Sequence, residues 1–213
     1  MTATIHGLPT PPTATGHTDQ QPPEPADLGR AAAAVADLLD ALGLDRHSAG
    51  LVETPARVAR MLHELVTPTP FEATTFPNDA GYDELVLVSD IRFTSLCEHH
   101  LLPFRGVAHV GYLPADRLVG LSKLARLVEV YARRPQVQER MTAQIADWLR
   151  DHLAPRGVGV VLEAEHLCMS IRGVRAEEAR TVTSTLHGTL RDRPAARNEF
   201  LQLARTTTSK AAP

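Results

Sequence analysis

The sequence predicts an α+β domain, a mostly antiparallel sheet with helices on one face. Three observations carry this. Apolar residues recur at helical spacing early and in the middle of the chain, a period of two takes over near residues 84 and 158, and the resulting order is helix, helix, strand, strand, helix, helix, strand, strand, helix. With 213 residues, 43% of them apolar and only 4% aromatic, the core must be built mainly from Leu, Val, Ile and Ala.

Residues 1–27 carry six of the 16 Pro and only three charges, Asp19, Glu24 and Asp27, a composition expected to stay a flexible tail. Residues 28–82 form an N-terminal helical region. Asp27 is placed to cap a helix whose apolar positions Ala34, Val35, Leu38, Leu39 and Leu42 end at Gly43. A second helix opens at Thr54 and Pro55 and runs through Val58, Met61, Leu62 and Leu65. Residues 83–205 are expected to form the sheet-bearing core, and residues 206–213 a second tail.

Within that core, Leu85 to Val88 are continuously apolar, and Ile91 and Phe93 then alternate with charged residues towards Cys97. A partner strand follows at residues 107–113. Helices are expected at residues 121–133 and 137–153, separated by Arg134 and Pro135. Val158, Val160, Leu162, Ala164, His166 and Cys168 then share one face of a strand, residues 181–190 alternate again, and a last helix covers residues 195–204.

Charge and cysteine content exclude several classes. With 22 Lys and Arg against 25 Asp and Glu the formal net charge is −3, so no global basic field recruits nucleic acid or anionic lipid. The longest early apolar run, residues 31–36, is too short for a membrane span, and the first basic residue is Arg30, so a cytoplasmic protein is expected. Two Cys cannot build a disulfide scaffold.

Each of those two Cys ends an expected strand and has a His close by. Cys97 is followed by Glu98, His99 and His100, and Cys168 is preceded by His166. Thiolate sulfur and imidazole nitrogen are zinc ligands, and two Cys with one His would leave a fourth position for water, as in a catalytic site. Spacing leaves the His open: an extended segment puts His99 on the face of Cys97, a turn puts His100 there. Arg57, Lys123, Arg126 and Arg172 are candidates for a local anion clamp, with Ser122 one helical turn from Arg126. Arg133, Arg134 and Arg140 fit solvated helix surface better. Glu139 suits a helix start, and a buried carboxylate there would also accept paired hydrogen bonds from guanine N1–H and its N2 amino group.

These segments resemble the GTP cyclohydrolase I family. The matching residues are Glu53 to Arg57, the run from Ser95 to Pro103 (SLCEHHLLP), Gly120 to Lys123, Arg134 to Arg140, and His166 to Met169 followed by Arg172, Gly173 and Val174, in family order from about residue 30 to 204. The resemblance implies a tunnelling fold, with four-stranded antiparallel sheets joined around a ring, two pentamers stacked into a homodecamer, and active sites between subunits. It implies Zn2+ as cofactor, with Cys97, His100 and Cys168 as ligands. It implies His99, His166 and Ser122 as catalytic groups, Glu139 with Gln138 as guanine contacts, and Lys123, Arg126, Arg172 and Arg57 around the triphosphate of GTP. The implied reaction is hydrolysis of GTP at C8 with release of formate and rearrangement to 7,8-dihydroneopterin triphosphate, serving folate, other pterins or deazapurines. The rival is a zinc-stabilised ring protein that binds a purine nucleotide without turning it over. Residues 176–193 follow the family only loosely, and Leu190 stands where an aromatic is expected.

Overall fold

A computed structural model describes residues 3–5 and 25–208. The expected N-terminal tail lies outside the described residues except for residues 3–5 and 25–27, as do residues 209–213 of the C-terminal tail. The described residues form two compact units, 25–67, and 3–5 together with 68–208.

The smaller unit is a helix pair. Helix α1, Leu28–Ala41, starts where the Asp27 carboxylate accepts the backbone N–H of Arg30 at 2.9 Å, and stops at Gly43, whose φ of +72° lies in the left-handed region. Helix α2, Thr54–Val66, carries Pro55 in its first turn. Ala36, Leu39 and Ala59 are buried, whereas Leu38, Leu42 and Met61 are exposed.

The larger unit holds two sheets. A small one joins β1 (Ala3–Ile5), β2 (Ala73–Pro77) and β5 (Arg117–Val119), so residues 73–77, grouped with the preceding helices from sequence, belong with the sheet unit. The main one is built from β3 (Val86–Cys97), β4 (Pro103–Leu113), the two-residue β6 (Pro135–Gln136), β7 (Gly157–His166) and β8 (Thr181–Gly188), in the order β6-β3-β4-β7-β8. The four long strands are antiparallel; β6 runs parallel to the end of β3, pairing Gln136 with Cys97. A register shift between Val88 and Ile91 places Asp90 at φ +56° and interrupts the alternation there.

Helices α3 (Leu121–Ala132) and α4 (Gln138–Leu153) cover one face. Phe104, Ala108, Val110 and Tyr112 of β4 and Val158, Val160, Leu162 and Ala164 of β7 meet Leu124, Leu127, Val128, Met141, Ile145 and Leu149 in one buried cluster. The expectation of helices on one face needs correction. After α6 (Thr189–Asp192), helix α7 (Pro194–Thr208) sends Phe200 onto the opposite face. Gly111 and Gly159 make room for it: a Cβ at Gly159 would lie 2.7 Å from the Phe200 ring. Leu190, the departure from the family's aromatic, is fully buried in this second cluster with Leu186 and Phe200.

Cys168 is also displaced from its expected place on a strand. The ladder ends with Phe104 opposite His166, because β4 begins at Pro103, which has no N–H to offer. The chain turns instead into the short helix α5, Leu167–Ser170, with Cys168 in it.

Candidate metal centre and active site

The segment after β3 sets where His99 and His100 lie relative to the two cysteines. Residues 98–102 form a tight turn in which the Leu101 N–H donates to the Cys97 carbonyl at 2.8 Å and the Cys97 N–H to Leu102 at 2.9 Å, with Leu101 at φ +52°. The turn brings both imidazoles back, each Nδ1 lying 3.8 Å from Cys97 Sγ. Only one of them also meets the second cysteine: Cys97, His100 and Cys168 present ligand atoms all within 4.8 Å of one another, and the two sulfurs are 3.9 Å apart.

The donors fit a metal by their chemistry. Cys97 is buried and Cys168 half-buried, and burial first, then the neighbouring Cys97, push the Cys168 thiol up. A cation between the two sulfurs would offset the repulsion that raises Cys168. Two sulfurs and one imidazole suit zinc, and three protein donors leave a vertex open.

The metal group lines a cavity of about 250 Å³ together with His99, Glu139 and His166. His99 has a side chain 66% exposed, so it is free to meet a ligand. Glu139 sits exposed in the first turn of α4. His166, at the end of β7, stacks on Phe104 with ring centroids 4.6 Å apart and planes 3° from parallel. Burial holds its pKa below the ordinary value while Glu139 acts the other way, so the imidazole is neutral near pH 7. Gln138 lines the same cavity but turns its side chain inward: its amide is buried, and its oxygen lies 2.8 Å from His166 Nε2.

The remaining expected residues lie elsewhere in the chain. Ser122, Lys123 and Arg126 project from α3 and do not line this cavity; Arg126 instead borders a second one beside Thr69 and Glu129. Arg172 is exposed just beyond α5, close enough to Cys168 to favour its thiolate. Arg57 lies on α2, in the helical unit.

Sequence reading missed one network. Arg140, expected on solvated surface, donates to the Glu98 carboxylate and, at 3.0 Å, to Gln136 Oε1. The Gln136 amide nitrogen in turn donates to the Tyr131 carbonyl and to Gln144, each at 2.9 Å, and the Glu98 N–H donates to the Gln136 carbonyl at 3.0 Å. The ligand turn is thereby tied to the start of α4. The available signal was the i, i+4 spacing of Gln136 and Arg140 and the placing of Glu98 between the ligands.

An α+β fold in which two sulfurs and one imidazole that could hold a metal line a cavity with a second histidine and a carboxylate fits a metal-dependent enzyme. Comparison with known proteins gives the family: residues 31–205 match the family model for GTP cyclohydrolase I, and the chain belongs to that family. It is 58% identical over 184 residues to GTP cyclohydrolase 1 of Streptomyces coelicolor, covering 83% of this chain and 90% of that one. The protein of the same name from Bifidobacterium longum is 59% identical over 174 residues, with 80% and 87% covered. That of Aquifex aeolicus is 52% identical over 172 residues, with 81% and 94% covered. Among the described residues no helix is long and apolar enough to cross a membrane.

Proposed function

We propose that this protein is a zinc-dependent GTP cyclohydrolase I, which hydrolyses GTP at C8, releases formate and forms 7,8-dihydroneopterin triphosphate on the way to tetrahydrofolate and other pterins. The observation that supports it most is the convergence of Cys97, His100 and Cys168 beside His166 and Glu139 in a chain of this family. A zinc ion held by those three residues would supply a Lewis acid and a water activated near neutral pH.

The chain's own residues do the rest. Glu139 accepts paired hydrogen bonds from guanine N1–H and the N2 amino group; adenine, lacking that pair of donors, would leave the carboxylate unpaired. His166, neutral at rest, accepts a proton from the attacking water and passes it to the five-membered ring of the base as it opens, and His99 is a second acid–base group on the other side of Cys97. Ser122 relays a proton during the ribose rearrangement. Lys123, Arg126, Arg172 and Arg57 neutralise the triphosphate.

Ser122, Lys123 and Arg126 lie outside the lining of the cavity that holds Cys97, His100 and Cys168, which favours sites shared between copies. The tunnelling fold of the family provides that arrangement, with sheets closed into a five-membered ring and two rings stacked as a homodecamer in the cytoplasm.

Purified zinc-loaded protein given GTP should release formate in equal amount with a product that becomes fluorescent on oxidation. His166→Ala should abolish both and keep its zinc. Tight GTP binding without formate would instead mark a nucleotide-binding regulator and overturn the enzymatic reading.

A further inference from the structure

Taking His166 as the acid–base group proposed above, we propose that Gln138 is a positioning residue that holds His166 in its Nε2–H tautomer and leaves Nδ1 as the nitrogen that exchanges a proton with the bound purine. The assignment follows from a trail of protons that starts at a helix carbonyl. Thr142 Oγ1 lies 2.7 Å from the backbone oxygen of Gln138, which can only accept, so the Thr142 hydroxyl spends its single proton there. Thr183 Oγ1 lies 2.6 Å from Thr142 Oγ1 and must therefore be the donor of that pair. Having given its proton away, Thr183 can only accept from its other neighbour, the Gln138 side-chain nitrogen at 3.1 Å.

Two further acceptors face the same nitrogen, the Thr181 carbonyl at 2.9 Å and the Leu162 carbonyl at 3.2 Å. A reversed amide would set an oxygen against two carbonyls and a hydroxyl with no proton to offer, at a site that is 1% exposed. The Gln138 amide thus has one orientation. Its oxygen points at His166 Nε2, 2.8 Å away, and an amide oxygen only accepts. Nε2 therefore carries the hydrogen, and a neutral imidazole has no second one to place on Nδ1.

The Phe104 ring stacked on His166 fixes the plane in which Nδ1 is presented. Ring plane and ring proton are both set by side chains from behind the site. This gives Gln138 a different part from the guanine contact that the family resemblance implies for it.

Magic-angle-spinning NMR of the zinc-loaded enzyme, carrying ring-15N histidine, reads the tautomer directly, with the His166 signals identified by their loss in His166→Gln. The expected spectrum has a protonated Nε2 and a bare Nδ1. In Gln138→Met, which keeps the length of the side chain but offers no oxygen, an Nδ1–H signal should appear. Its kcat should fall about 10- to 100-fold, the usual cost of removing the outer partner of a site histidine, with KM changed by less than about twofold. A wild-type His166 protonated on Nδ1 overturns the proposal, and so does a Gln138→Met enzyme with wild-type kcat and unchanged His166 signals. The wild-type spectrum needs no variant, so a misfolded Gln138→Met still leaves a decisive measurement. Full kcat in His166→Gln would sink the acid–base role of His166, while the tautomer is judged on the spectrum alone.

Discussion

Replacing Arg140 with Met removes two bonds that tie the ligand turn to α4, and the structure sets the size of the effect. The Arg140 and Glu98 side chains are 45% and 32% exposed, so solvent screening limits their ion pair to about 0.5–1 kcal/mol. Gln136 Oε1 is the more costly loss: the residue is 1% exposed, its amide nitrogen is already engaged with Tyr131 and Gln144, and an acceptor left unpaired there costs about 1–3 kcal/mol. The sum, roughly 1.5–4 kcal/mol, falls on the turn that carries Cys97 and His100. Spent there, even its lower half weakens zinc binding by about 10- to 100-fold. Competition against a chromophoric chelator measures this on the intact protein, with circular dichroism as a check on folding. Glu98→Gln keeps an oxygen for Arg140 and should lose less than about fivefold. A folded Arg140→Met protein with wild-type zinc affinity would refute the view that this network positions the ligands.

Gly159→Ala should destabilise the protein by about 1–3 kcal/mol, since its Cβ would enter the Phe200 ring. In a Phe200→Ala background the same change should cost nothing or help slightly; equal costs in both backgrounds, measured by urea unfolding, would contradict packing of α7 on the second face. His109 is buried at 1% exposure, and burial holds its pKa below the ordinary 6.5 against the weaker opposing pull of Asp90 and Glu163. The unfolded chain therefore takes up the proton first, so this contribution to stability is complete above about pH 6.5 and is lost as pH falls below it. His109→Gln should make that decline shallower, and an unchanged slope of unfolding free energy against pH would show that His109 does not carry it.

Much of this was legible in the residues, for identifiable reasons. Asp27, Gly43 and Pro55 mark helix ends through local chemistry, and the structure uses Asp27 and Gly43 in that way. The alternation of residues 158–166 reports a strand because one side of it faces the α3 and α4 core. The clustering of His beside the only two Cys pointed to a group able to hold a metal, and Cys97, His100 and Cys168 do converge. What stayed hidden depends on partners distant in sequence. Cys168 leaves the strand because Pro103 ends the neighbouring one, and β6 exists only by pairing with the end of β3. Gly111 and Gly159 look like weak strand residues until Phe200, far along the chain from both, fills the space they leave. The inward turn of Gln138 depends on Thr181 and Thr183, in a segment that follows the family loosely.

X-ray absorption at the zinc edge of the purified enzyme would probe the metal centre most directly. Two sulfur neighbours at about 2.3 Å and one imidazole nitrogen near 2.0 Å, with a further light atom completing the shell, are expected. A zinc ion with no sulfur neighbour, or with only one, would mean that Cys97 and Cys168 do not share a metal, and the proposed chemistry would lose its foundation.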